Sequence, residues 1–157
     1  MSVAIGKREL DVLEELVSKV NERVIKLSGG AFGYVNEGNL SFALYRALCY
    51  ASKEGHTRQF HKIWAARTLF EIAKLHPFTD ANKRTAYVIA KVILHLGKYD
   101  FEVIYEKAKD FLIKIAEKRI KYEEVCRWIE KHSKELTTEP SPDIQEFVNI
   151  VSKVINY

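Results

Sequence analysis

The chain has 157 residues, 47% of them hydrophobic, which suits one domain with a genuine core and excludes two large domains. Folding at this length hides roughly 70% of the surface an unfolded chain exposes, so neither a metal nor a disulfide is needed as a staple. Lys and Arg outnumber Asp and Glu by 25 to 21; this mild excess permits an anionic partner but lacks the clustered basic footprint of a nucleic-acid binder, and no direct nucleic-acid binding is expected.

The opening MSVAIGKREL has no apolar run of the signal-peptide kind, and no stretch nears the ~18 apolar residues of a membrane span. A soluble protein without membrane contact is expected. Cys49 and Cys126 lie in apolar surroundings without a CxxC or a Cys/His cluster, which reads as reduced core thiols of a cytoplasmic protein.

Apolar positions recur at helical spacing and strand-like alternation is nearly absent, so the expected fold is all-α. A first helix spans about 8–27, with Leu13, Leu16, Val17, Val20, Val24 and Leu27 on one face, and Gly29-Gly30 ends it. Residues 31–38 form a loop. A second helix, about 40–53, turns Leu40, Ala43, Leu44, Ala47, Leu48 and Ala51 inward and closes at Gly55. A third, about 57–74, presents Phe60, Ile63, Trp64, Leu69, Phe70 and Ala73. The fourth, about 81–96, is apolar on nearly every side beyond Arg84, as expected of a central helix surrounded by others. Gly97 caps it, and YDFEVIY alternates briefly, either as an extended connector or as the start of a helix. Two more helices follow near 106–117 and 122–134. TTEPSP reads as a linker in which Ser141 caps and Pro142 begins a last helix with Ile144, Phe147, Val148, Val151, Val154 and Ile155 on one stripe. The division expected is a catalytic domain over 1–136 and, over 137–157, a linker and C-terminal helix packed on the same domain.

One stretch carries an unusual density of chemistry: His76-Pro77-Phe78-Thr79-Asp80-Ala81-Asn82-Lys83-Arg84. Pro77 disfavours helical geometry at His76, so the chain turns there and re-enters a helix near Asp80. Backbone N–H groups at a helix start are unpaired and carry partial positive charge, and small Ala81 lets an anion come close. Lys83 and Arg84 add two cations where cations are unfavourable by up to ~1 kcal/mol each, so something anionic should compensate them. Phosphates fit, since Arg offers a planar fork and Lys a point charge. Asp80 beside a polyphosphate suits Mg²⁺. His76 is placed to take a proton from an incoming hydroxyl, and Asn82 to donate an amide hydrogen to a phosphate oxygen. Together these groups describe phosphoryl or nucleotidyl transfer. Simpler roles stand beside these: Asp80 as an N-cap or as the partner of Lys83 or Arg84, and Phe78 as an apolar anchor for the loop. His56 and His61 are spaced five apart, wrong for one helical face, and suggest no metal site. Lys118, Arg119 and Lys121 read as solvated surface.

The string HPFTDANKR resembles the HPFx(D/E)GN(G/K)R signature of the Fic/Doc superfamily, and Ala81 to Ala86 resembles its Doc (death-on-curing) branch. Upstream, Gly29-Gly30, Gly33, Glu37-Gly38, Leu40 and Ala43 are similar to the Doc-type GGxxGxxxEGxLxxA segment. Downstream, His95 to Tyr99 takes the place of an NGY-like end to the central helix, so the likeness covers about residues 20–133. The resemblance implies a compact helical enzyme that uses ATP and Mg²⁺ to modify a hydroxyl of a target protein. His76 would be the base and Asp80 the metal carboxylate. Asn82, Lys83 and Arg84 would hold phosphates, with the Ala81 to Lys83 backbone completing the cradle.

Fic proteins with Gly at the position of Lys83 transfer AMP, whereas Lys there, as in Doc, goes with transfer of the terminal phosphate. The second Arg usual in AMP transferases is replaced by Tyr87. The expectation is therefore a Doc-like toxin that phosphorylates a translation factor and is held by an antitoxin protein. The alternatives are an AMP transferase and a catalytically inactive regulatory module. The inhibitory (S/T)xxxE(G/N) motif of the superfamily has only a near miss, Ser18 to Glu22 followed by Arg23, so control by a separate protein is expected. The resemblance also suggests that residues 31–38 lie beside the site and contact the target backbone.

Overall fold

The structure is a computed structural model that describes residues 6–53 and 59–137, together with Pro142 and Gln145. Six helices follow one another: α1 (Lys7–Ser28), α2 (Glu37–Ser52), α3 (Gln59–Leu75), α4 (Asn82–Leu96), α5 (Tyr105–Ala116) and α6 (Tyr122–His132). Two three-residue strands, β1 (Tyr99–Phe101) and β2 (Ser133–Glu135), pair antiparallel with Asp100 opposite Lys134. The expected all-α bundle is thus found, with one correction: the sixth helix stops at His132 and its last residues pair with the YDF segment. Glu102 and Leu136 extend that ladder through N–H bonds to His132 O and Lys98 O. The expected linker and last helix over 137–157, and Gly55 and His56, lie outside the described residues apart from Thr137, Pro142 and Gln145. Among the described residues no helix is long and apolar enough to cross a membrane.

The stripe of α1 packs its leucines and valines on α2 and α4, but Leu27 in the last turn stays 76% exposed because the chain leaves the bundle at Gly29. Helix α2 starts earlier than its apolar pattern suggests, because the Asn36 side chain accepts the N–H of Asn39 and begins the helix at Glu37. Its inward residues are those expected.

Helix α4 is buried along most of its length and touches α1, α3, α5 and β1. It shares the centre with α3, which meets α2, α4, α5 and α6 and is buried at every residue from Trp64 to Ala73. Two of those residues are charged. Arg67 Nη2 pairs with Glu71 Oε1 at 2.6 Å, one helical turn on, and Arg46 Nε of α2 reaches the same oxygen at 3.2 Å. The Arg67 guanidinium lies over the rings of Tyr50 at 4.0 Å and Tyr122 at 4.6 Å, so the charges are compensated inside the core. Cys49 and Cys126 are free thiols but only half-buried, at the edge of the core rather than within it.

Candidate active site

The break between α3 and α4 is built by backbone chemistry. His76 N–H closes the last turn of α3 on Ile72 O at 3.2 Å. Pro77 then bars helical geometry at His76, which adopts φ 48, a left-handed conformation that His tolerates better than most side chains. Pro77 has no N–H to offer, and its carbonyl accepts from Val35 N at 2.9 Å and Asn36 N at 3.3 Å, while Thr79 N–H donates to Gly33 O at 2.9 Å. Tyr34 therefore stands opposite Phe78 as a single antiparallel bridge. The Phe78 side chain is fully buried against the Tyr34 ring, 5.4 Å away, and anchors the loop as expected. Residues 31–36 thus run alongside the loop, with Phe32 and Val35 exposed.

Asn82 holds the turn closed. Its Oδ1 accepts the Phe78 N–H at 2.9 Å and its Nδ2 donates to Phe78 O at 2.8 Å. The side chain expected to face a phosphate is thus directed onto the loop, because two buried backbone groups of Phe78 need partners and no ladder supplies them. Between them the chain passes through Ala81 at φ 60, ψ 27. This is the position where the Fic/Doc signature has Gly, and the left-handed conformation explains that preference.

Helix α4 begins at Asn82, after Asp80 rather than at it, and no side chain caps it. Its first internal bond runs from Thr85 N–H to Ala81 O at 2.9 Å. The N–H groups of Asn82, Lys83 and Arg84 precede that bond, leaving a concentration of partial positive charge. Asp80 instead reaches across to the glycine loop, where its Oδ2 accepts the Ala31 N–H at 2.7 Å. Gly30, at φ 117, lies against it so closely that a Cβ there would stand 3.2 Å from Asp80 Cβ.

Lys83 and Arg84 are half-buried on the first turn of α4. The Arg84 guanidinium lies over the Tyr105 ring at 4.5 Å and comes within 4.0 Å of Glu106 Oε1, both in the first turn of α5. Tyr87 takes no part in the anion site: it is buried, its hydroxyl donates to Val103 O at 2.7 Å, and its ring meets Tyr105 edge-on. Burial pushes its phenol above the usual range. The near-miss motif on α1 is otherwise engaged, Ser18 Oγ with Tyr34 Oη and Glu22 with Lys26 at 3.4 Å.

Asn21 escapes a reading of sequence. It is fully buried, and its Nδ2 donates both to Asp80 O at 2.9 Å and to Thr85 Oγ1 at 3.0 Å. The available signal was a lone amide within the apolar stripe of Val17, Val20 and Val24.

Among the described residues no group of three or more His, Cys, Asp or Glu side chains could hold a metal. A cation at Asp80 would take its remaining ligands from water or a bound phosphate, a ligand set that suits Mg²⁺. One Asp80 oxygen accepts the Ala31 N–H, and the other is the one that would hold such an ion.

The two central helices of the bundle are thus joined by a tight His-to-Arg loop that ends at a helix start without a side-chain cap. The sequence matches the Fic/DOC family over residues 10–94, more than half the chain and including the whole loop, and the chain belongs to that family. Family members act on protein targets and generally transfer nucleotide-derived groups to them, so the chain is a Fic-type protein-modifying enzyme or a binding module of that fold. No curated protein matches it.

Proposed function

We propose that this protein is a Doc-type phosphotransferase that moves the terminal phosphate of ATP to a hydroxyl of a target protein. The carrying observation is the start of α4: no side chain caps it, Ala81 turns left-handed into it, and Lys83 and Arg84 occupy its first turn. Two cations in an uncapped first turn are unfavourable until an anion joins them, and a polyphosphate satisfies the cations and the N–H groups together.

In this reading the Asn82, Lys83 and Arg84 N–H groups and the two cations bind the phosphate chain. Arg84 is preset by Tyr105, and Asn82 acts through the loop, fixing Phe78 and so the turn that carries Asp80. Mg²⁺, when bound, neutralises phosphate charge at Asp80. His76 takes the proton of the target hydroxyl as its oxygen bonds to the terminal phosphorus; the bond from that phosphorus to the bridging oxygen breaks, and ADP leaves. Residues 31–36 run beside the loop and offer the exposed Phe32 and Val35 to the target chain.

Phosphate transfer is favoured over AMP transfer by Lys83 in the signature's Gly position and by Tyr87, whose buried ring replaces a second cation. The wider reading is a cytoplasmic toxin that acts on a translation factor and is neutralised by an antitoxin protein. The test incubates the full chain with MgATP and a cell lysate and measures mass changes on proteins. A phosphate-sized increment that disappears with His76→Ala supports the proposal. An adenylyl-sized increment overturns phosphate transfer in favour of AMP transfer. No increment on any protein points to a binding module.

A further inference from the structure

Helix α1 carries two polar side chains, one turn apart, that reach both sides of the site. Ser18 bonds to the Tyr34 hydroxyl on the extended segment 31–36, and Asn21 donates to Asp80 O and Thr85 Oγ1. Tyr34 and Phe78 are bridged in turn, so α1, the flanking segment and the loop form one closed circuit. Asn21 sits where an apolar residue would continue the stripe, and its own Oδ1 is buried without a partner among the described residues. An unpaired buried acceptor is destabilising, an unfavourable arrangement for a residue whose task is packing. Both hydrogens of its amide, by contrast, are used at the junction where Asp80 leads into left-handed Ala81.

We infer that Asn21 is a positioning residue for the anion cradle: by holding the Asp80 carbonyl and Thr85 together it sets the left-handed turn at Ala81, and with it the direction of the first N–H groups of α4. The inference rests on the phosphate-cradle reading above. It places the control of that cradle in α1, outside the loop that carries the chemistry. The near-miss segment from Ser18 to Glu22 then acts as a support rather than as an inhibitor.

Asn21→Leu keeps the volume and suits the apolar stripe while removing both donors. Asn21→Asp keeps the shape and turns a donor into an acceptor facing the Asp80 carbonyl. Backbone hydrogen exchange of the full chain gives a readout that does not depend on any ligand. In both variants the Ala31 and Thr85 amides, which are bonded to Asp80 Oδ2 and Ala81 O, should exchange about tenfold faster or more while those of α6 keep their wild-type rates. MgATP should bind ~10–100-fold more weakly, as when outer partners of bound ions are lost, with the thermal midpoint of Asn21→Leu held within a few degrees. Unchanged exchange at Ala31 and Thr85 in both variants would overturn the role, as would equal acceleration throughout the chain, which marks a structural residue. A wild-type chain that does not bind MgATP refutes the phosphate reading, and the exchange rates decide the role of Asn21 independently.

Discussion

The starts of α2, α6 and α4 differ in what completes them. Helix α2 is started by Asn36, whose side chain accepts the Asn39 N–H. Helix α6 is started by Glu124, which reaches back to accept the Lys121 N–H at 3.1 Å. Helix α4 has neither device, and its first turn carries Lys83 and Arg84 where α6 carries Glu123 and Glu124. In the first two a side chain accepts a backbone N–H and acidic residues stand in the first turn, so those starts carry their own compensation for the helix dipole. The third leaves its first N–H groups without a side-chain acceptor and gathers two cations beside them, with Arg84 reaching Glu106 only at 4.0 Å, an arrangement that an anionic ligand would complete.

That contrast can be broken or sharpened by substitution, beginning with the largest effect. If the start of α4 is the transfer site, His76→Ala should lower the rate of target modification by about 100- to 10,000-fold, the usual weight of a general base. A rate within a few-fold of wild type would remove His76 from the chemistry. Lys83→Ala should weaken MgATP binding by about tenfold, corresponding to about 1.4 kcal/mol; calorimetric titration tests this, and the thermal midpoint without ligand should hold or rise, because a misplaced cation has gone. Asn36→Ala, at the structural start, should do the reverse, destabilising the fold by about 1 kcal/mol in denaturant melts without direct effect on nucleotide affinity.

A smaller effect is expected at the left-handed residue. Ala81→Gly should stabilise the fold by about 0.5–1 kcal/mol, since Gly occupies φ 60 without steric cost. A destabilised Ala81→Gly would mean that the Ala81 methyl group contributes packing that outweighs the strain. The smallest effect concerns the opposite end of α4, where His95 is buried 3.8 Å from Asp100. Burial lowers the pKa of His95, against an opposing pull from Asp100, and burial also lowers that of His61. The folded state therefore resists protonation more than the unfolded state, whose histidines titrate near 6.5. Stability contributed by these two residues is complete above that pH and is lost as pH falls through the lowered folded values. Melts between neutral and mildly acidic pH should show the decline, and His95→Leu should flatten it.

Much of this was legible along the chain. Six helices, the inward faces of α1 and α2, the glycine stop at Ser28 and the role of Phe78 all follow from periodicity and local preference. The break between α3 and α4 was legible as well, since Pro77 interrupts the helical pattern within the nine residues from His76 to Arg84. The enclosure of α3 was not. Arg67 and Glu71 give it the look of an amphipathic surface helix, and only the arrival of Arg46, Tyr50 and Tyr122 from other elements makes their burial tolerable. Nor was the strand at Ser133 legible, because its partner lies more than thirty residues earlier.

The sequence by itself determined the helical class, the position of the candidate site and the types of group it holds, because helix periodicity and residue chemistry are local properties. The tertiary structure decided what each group is free to do. It turned Asn82 onto Phe78, moved Asp80 from the helix cap to the Ala31 N–H, buried Tyr87 and brought Asn21 to the loop. Those outcomes depend on which donor or acceptor the packed chain brings within reach of each polar atom, and a linear chain does not carry that information at any one position.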